Sequence, residues 1–350
     1  MRFLGPSSDP GRVPLPTPSP ARLMADLAPP EALRRLELTI VRRLEGHLRG
    51  DHLGLLPGPG SDLADARPYR PGEDDVRHMD WNVTARTDVP HVRDVTADRE
   101  LETWALADLT GSMEFGTSAV DGHGRDKRYL AVAAVATVGV LTNRQGDRFG
   151  GAVLSEDGFR RHQARAGRLA LYSLVRDLLT QPRHAVQPGR HTDGVPLGPA
   201  IDALAVAQPR RGLRVVVSDF LDPGTTALRA PALKTTLSWE RPIRRLAVRH
   251  QVLAVEVVDP REGELPDIGV VELVDPETGD LLEVDTGRAA TRRAFAAAAA
   301  AHRDRVRTTL RRAGVAHLVL RTDSDWVADT ARFVIGHRFT AHRLHRRGAL

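Results

Sequence analysis

The sequence predicts an α/β fold: a doubly wound, mostly parallel, Rossmann-like sheet with a small β-rich N-terminal lobe and an inserted β-hairpin. Three observations predict it. Short apolar runs recur at Trp104–Ala107, Leu213–Ser218, Val252–Val258 and Ala316–Leu320, and such runs suit strands buried on both faces. Segments of helical apolar spacing lie between them, so strand and helix alternate. Two of the runs end in an acidic residue, Asp108 and Asp219, where open α/β sheets place their ligands.

The elements follow in order. Residues 1–32 are rich in Pro and Ser, contain no apolar stretch of signal-peptide length, and are expected to form a disordered leader. Residues 33–48 show both helical and strand-like spacing. The stretch from Arg67 to Glu100 is dense in charge and turn residues; it is predicted to be irregular or β-rich, not helical, and closes a lobe spanning 33–100. A buried strand then leads into Asp108. Arg125–Asn143 has helical spacing through Leu130, Val132, Val135, Val138 and Leu141. Arg148–Leu154 and Phe159–Ala164 flank Asp157-Gly158, a strong hairpin signal. Gly167–Thr180 and Leu197–Val206 are predicted helices, and residues 226–250 are predicted helical in part, broken near Pro231 and Pro242. Gly269–Thr286 is predicted as a hairpin around Pro276-Glu277-Thr278-Gly279. Arg288–Arg312, with its alanine run, is a strong helix, and Asp325–Arg343 is a final basic one. The α/β domain is therefore expected over 101–325, with a basic C-terminal helix at 326–350.

Composition removes several chemistries. The 350-residue chain has 41% hydrophobic residues, enough for a sizeable core, and no cysteine. Disulfides, Cys-ligated zinc, iron–sulfur clusters and thiol catalysis are excluded. No run reaches the roughly 18 apolar residues of a membrane span, which with the leader implies a cytoplasmic protein. The net charge of +5 hints at nucleic acid, but residues 301–350 carry +7 and residues 1–300 carry −2. The excess is an arginine-rich tail, so nucleic-acid binding is not expected. Lysine occurs only at positions 127 and 234.

The chemistry concentrates at the strand ends. Asp108-Leu109-Thr110-Gly111-Ser112 places a carboxylate and two hydroxyls at alternate positions of one tight loop, and Asp219 ends a neighbouring strand. Hard oxygen donors of this kind suit magnesium. The alternative is that Thr110 and Ser112 cap the turn and the two aspartates cap helices or loops. There is no phosphate-binding loop, no zinc-protease motif and no nucleophile elbow. A haloacid-dehalogenase-like reading fails because Thr110 stands where the second catalytic aspartate would be.

Asp108–Ser112 resembles the signature of the von Willebrand factor A domain, and Ser218-Asp219 resembles its second acidic loop. The stretch Arg67-Pro-Tyr69-Arg70-Pro-Gly-Glu-Asp74-Asp-Val-Arg77-His-Met-Asp80-Trp81-Asn-Val-Thr-Ala-Arg86 is similar to the hallmark of the bacterial domain of unknown function 58 family, as are Ser112–Gly116, Ser218–Phe220 and Asp275–Gly279. The resemblance spans about residues 36–340. It implies a von Willebrand A-type sheet and a metal-ion-dependent adhesion site with Mg2+ held by Asp108, Thr110, Ser112 and Asp219. It also implies recognition of a protein partner, a MoxR-type AAA+ ATPase, in assembly or maturation of other proteins. The sequence departs from the pattern at Val195, which stands where a third hydroxyl ligand is expected. Thr192 or Asp193 could substitute.

The expectation is a non-catalytic, metal-assisted interaction module without a small-molecule substrate. The alternative is a metal-dependent hydrolase using the same Asp cluster, for which no general base can be nominated. The interleaved Arg67, Arg70, Arg77, Arg86 and Asp74, Asp75, Asp80 could form a partner-binding face. The reading that charges of both signs at close spacing favour is an internal ion-pair network with Tyr69 and Trp81 as packing anchors, and the two readings are compatible.

Overall fold

The computed structural model describes residues 2–4, 40, 66–70, 76, 79–93, 102–116, 126–142, 147–183, 188–189, 193–207, 211–223 and 237–348. The strands in chain order are β1 (Arg2–Leu4), β2 (Ala66–Pro68), β3 (His91–Arg93), β4 (Glu102–Asp108), β5 (Arg148–Ser155), β6 (Gly158–Ala166), β7 (Leu213–Ser218), β8 (Gln251–Val258), β9 (Val270–Val274), β10 (Leu281–Asp285) and β11 (Ala316–Arg321). The helices are α1 (Trp81–Thr87), α2 (Lys127–Thr142), α3 (Arg168–Thr180), α4 (Leu197–Ala207), α5 (Glu240–Arg249), α6 (Ala289–Arg312) and α7 (Trp326–Gly348). The chain divides into two compact units, residues 1–53 with 101–333 and residues 54–100 with 334–350.

The first unit is built on a six-stranded sheet of order β11-β8-β7-β4-β5-β6. All neighbours pair in parallel except β5 and β6, which form the expected antiparallel hairpin. Every residue of β4 and β7 is buried, as their apolar runs require. β6 is the edge strand and exposes Arg160, Arg161 and Arg165; charge on an edge discourages pairing with another chain. Chain order along the sheet reverses at β4, between β5 and β7. That is the switch point where ligand crevices open in doubly wound sheets.

Helices close both faces. Leu197, Ile201 and Leu204 of α4 join Trp104, Leu106, Val216, Ile243 and Leu310 in one core, each apolar side chain contributing about 1.5–3 kcal/mol on burial. α2 is buried nearly all round. Gly139 lets α3 close on it, since a Cβ there would lie 2.2 Å from Leu171 Cδ1.

A second, antiparallel sheet of order β1-β9-β10 belongs to the same unit. It contains the predicted hairpin and packs Val271, Leu273 and Val284 against Phe295 of α6. β1 corrects the expected leader: residues 2–4 pair with β9, because Arg2-Phe3-Leu4 precedes the first proline. The remainder of 1–32 lies outside the described residues. Pro242 does not break its helix. It sits in the first turn of α5, where its missing N–H has no intrahelical partner to lose.

In the second unit, β2 pairs with β3 and the Tyr69 N–H donates to the Pro90 carbonyl at 2.8 Å. The segment expected to lack a helix contains α1. Asp80 caps it, accepting from the Asn82 and Val83 N–H groups at 3.0 and 3.2 Å. That local signal outweighs the charge-dense composition. No helix among the described residues is long and apolar enough to cross a membrane.

Candidate functional site at the carboxyl ends of the strands

Because β4 and β7 are parallel neighbours with Ala107 opposite Val217, Asp108 and the Ser218-Asp219 pair leave the sheet side by side. The structure brings Asp108, Thr110, Ser112 and Asp219 together, all 5% exposed or less. One Asp108 oxygen accepts from the Thr110 N–H and hydroxyl at 3.1 and 2.7 Å. The other accepts from the Ser218 hydroxyl at 2.6 Å. Asp219 accepts from the Leu221 N–H at 3.0 Å. Phe220, which follows it, holds a left-handed backbone at φ 57°, unusual for a side chain of that size. Its N–H is bound by the Ser218 hydroxyl at 2.9 Å, its carbonyl by the Trp239 indole at 3.2 Å, and its ring meets Trp239 edge-on. This over-determined turn fixes where the Asp219 carboxylate points.

Three residues missing from the sequence reading complete the cluster. Lys127, the first residue of α2, is fully buried. Its ammonium donates to Asp219 Oδ2 at 2.6 Å and to Glu262 Oε1. Glu262 lies just beyond β8 in a single 3-10 turn, and its other oxygen accepts from the Asp259 N–H in a reciprocal cap. Glu277 comes from the β9–β10 turn. Its Oε1 accepts the Ser112 N–H at 2.8 Å, across 165 residues of chain. The turn is prefolded: Asp275 accepts from the Glu277 and Thr278 N–H groups, and Gly279 closes it at φ 74°. Gly111 permits its approach, since a Cβ there would lie 2.0 Å from the Pro276 carbonyl oxygen.

The electrostatics follow from four neighbouring carboxyls, of which Asp219 and Glu262 bond the Lys127 ammonium. Burial, with the Asp219 charge adding to it, pushes the Asp108 carboxyl up to about 6, against the pull of its Ser218 and Thr110 bonds. Burial and then the Asp108 charge push Glu277 up to about 7. Burial also works against ionising Asp219, but the Lys127 ammonium outweighs it and holds that carboxyl below the usual range. Burial disfavours the charged Lys127, and Asp219 and Glu262 together overcome this, keeping it above the ordinary lysine range.

The residues present do not fit the magnesium ion that the resemblance implies. Both Asp108 oxygens are hydrogen-bonded, the Thr110 hydroxyl is turned to Asp108, and Asp219 holds the ammonium. Val195 packs its hydrocarbon against the apolar core. Asp193 is exposed, and Thr192 lies outside the described residues. Among the described residues no group of three His, Asp or Glu side chains could hold a metal.

The Arg67–Arg86 motif belongs to the other unit. Asp80 is buried as the helix cap and Tyr69 is partly buried, whereas Arg70 and Arg86 are exposed. Trp81 is 68% exposed, which corrects its expected role as a packing anchor: the first turn of α1 carries it outward. Arg67 contributes backbone to β2; Asp74, Asp75 and Arg77 lie outside the described residues.

A sheet of this order with one antiparallel edge, and an acidic loop at each of the two central strand ends, is the doubly wound, mostly parallel α/β architecture that the sequence predicts. Residues 65–305, more than half of the chain, match the family model described as Protein of unknown function DUF58, and the chain belongs to that family. It is 45% identical over 322 residues to uncharacterised proteins of Mycobacterium tuberculosis and Mycobacterium bovis, covering 91% of this chain and 94% of theirs. Among solved structures it is similar to the conserved hypothetical protein BatB of Bacteroides thetaiotaomicron. That match has 12% identity and a TM-score of 0.36 over 68% of this chain and 98% of that one. It is also similar to the von Willebrand A domain of SpRpn10, at 10% identity and a TM-score of 0.34 over 67% and 95%.

Proposed function

We propose that this chain is a non-catalytic interaction module that recognises an acidic side chain of another protein through the loops following β4 and β7. The observation that carries this reading is the Glu277 contact. A carboxylate from a distant hairpin already accepts from the Ser112 N–H, so the loop presents a backbone donor to a carboxylate. Among the described residues, each carboxylate of the site is engaged with a neighbour. That favours binding over the alternative of a metal-dependent hydrolase using the same Asp cluster. By family resemblance the partner is a MoxR-type AAA+ ATPase in the cytoplasm, with this chain as adaptor in assembly or maturation of other proteins.

The test is a pull-down of a purified MoxR-type ATPase by the immobilised chain, with magnesium and with a chelator. Retention lost in a Thr110→Ala/Ser112→Ala variant supports the reading. Equal retention by that variant, or metal-dependent phosphatase or nuclease turnover abolished by Asp219→Ala, overturns it.

A further inference from the structure

We propose that the chain completes its own carboxylate site. The Lys127 ammonium supplies the positive charge that a divalent cation supplies in metal-dependent A domains. Glu277, delivered by the inserted hairpin, fills the place of the partner's acidic side chain. The inference rests on the reading of these loops as a carboxylate receptor and adds that the receptor is self-occupied and independent of metal.

Lys127 is fully buried and bonded to carboxylates on two different loops, after β7 and after β8. A buried ammonium persists only when paired in this way, and a divalent ion beside it in a poorly screened interior would be repelled. It is one of only two lysines among 50 basic residues. A compact ammonium with three donors can sit between two carboxylates where the broad guanidinium fork does not.

The hairpin contact is also built in. The β9–β10 turn is held by its own Asp275 bonds before it reaches the loop. At Gly111 the two backbones approach so closely that no side chain fits between them. Val195, in place of the third hydroxyl, faces hydrocarbon, which agrees with a site that does not recruit a metal. A partner's acidic group can enter only as Glu277 leaves, so the hairpin works as an internal competitor that sets the threshold for binding.

Magnesium and manganese chloride titrated into the full chain, followed by calorimetry and thermal shift, test the first half. Hydrogen exchange over residues 109–115 in a Glu277→Ala variant tests the second. The expected results are no saturable metal response in the wild type, saturable manganese binding gained by Lys127→Met, and Ser112 amide exchange about tenfold faster in Glu277→Ala, the loss of one hydrogen bond. Saturable magnesium binding by the wild type that Asp219→Asn abolishes would overturn the proposal, as would unchanged exchange in Glu277→Ala. Should Lys127→Met not fold, the wild-type titration and the Glu277→Ala exchange decide alone. A wild type that binds magnesium removes this inference and leaves the interaction reading standing. A metal-blind wild type whose Glu277→Ala loop opens without gaining affinity for the ATPase upholds the self-occupied site and removes the interaction reading.

Discussion

Replacing Lys127 by methionine, of similar length and without charge, removes the ammonium that pairs with Asp219 and Glu262 while keeping its apolar stem. Its partners stay behind in a dry environment: the Asp219 side chain is 3% exposed and that of Glu262 17%. Taking one partner from a buried ion pair destabilises by about 3–5 kcal/mol. Proton uptake caps the Asp219 share, since protonating a carboxyl of ordinary pKa at pH 7 costs roughly 4 kcal/mol. The expected loss is therefore about 3–4 kcal/mol, or a fall in melting temperature of roughly 6–16 °C for a unit of this size.

The pH dependence has a fixed sign. In the wild type the depressed Asp219 carboxyl stabilises above its unfolded pKa and fails only below it. In the variant the same carboxyl titrates high, so its penalty shrinks as pH falls from 7 towards 4. Urea denaturation of both proteins at pH 7 and pH 5 measures this. A loss below about 1 kcal/mol at pH 7, the range of ordinary surface changes, refutes the buried-cation account.

Gly111→Ala is expected to destabilise by about 1–3 kcal/mol through overpacking against Pro276 and to speed Ser112 amide exchange, both readable in one exchange experiment with denaturant. Asp80→Ala removes the cap of α1 and is expected to cost about 1 kcal/mol locally, seen as faster exchange in residues 81–87 with the strand-end loops unchanged. His250 is held down to about 4 by burial and by Arg214, Arg249 and Arg211. It therefore folds neutral, and its contribution is complete above pH 6.5 and lost as pH falls from 6.5 towards 4. A His250→Gln variant should flatten the melting-temperature profile in that window, and an unchanged slope would contradict the assignment.

The parallel sheet and the two acidic loops were legible because each rests on local pattern: an apolar run of strand length, then Asp108 or Asp219. The rest of the site depends on contacts that local pattern does not carry. Glu262 and Glu277 reach the cluster across 135 and 165 residues, through the β8 turn and a hairpin whose docking no periodicity reports. Lys127 did leave a signal, as a rare lysine in an arginine-rich chain opening an apolar helix. α1 was missed although Asp80 stands ready as its cap, because the surrounding charges matched no amphipathic pattern. Val195 was readable as a departure, and its packing against the core supplies the physical reason.

Hydrogen exchange of the full chain with and without a purified MoxR-type ATPase tests the central claim most directly. The account predicts protection centred on residues 108–116 and 219–223, together with faster exchange in the 275–279 turn as Glu277 is displaced. Binding that leaves these segments unchanged and protects only other surfaces would contradict it.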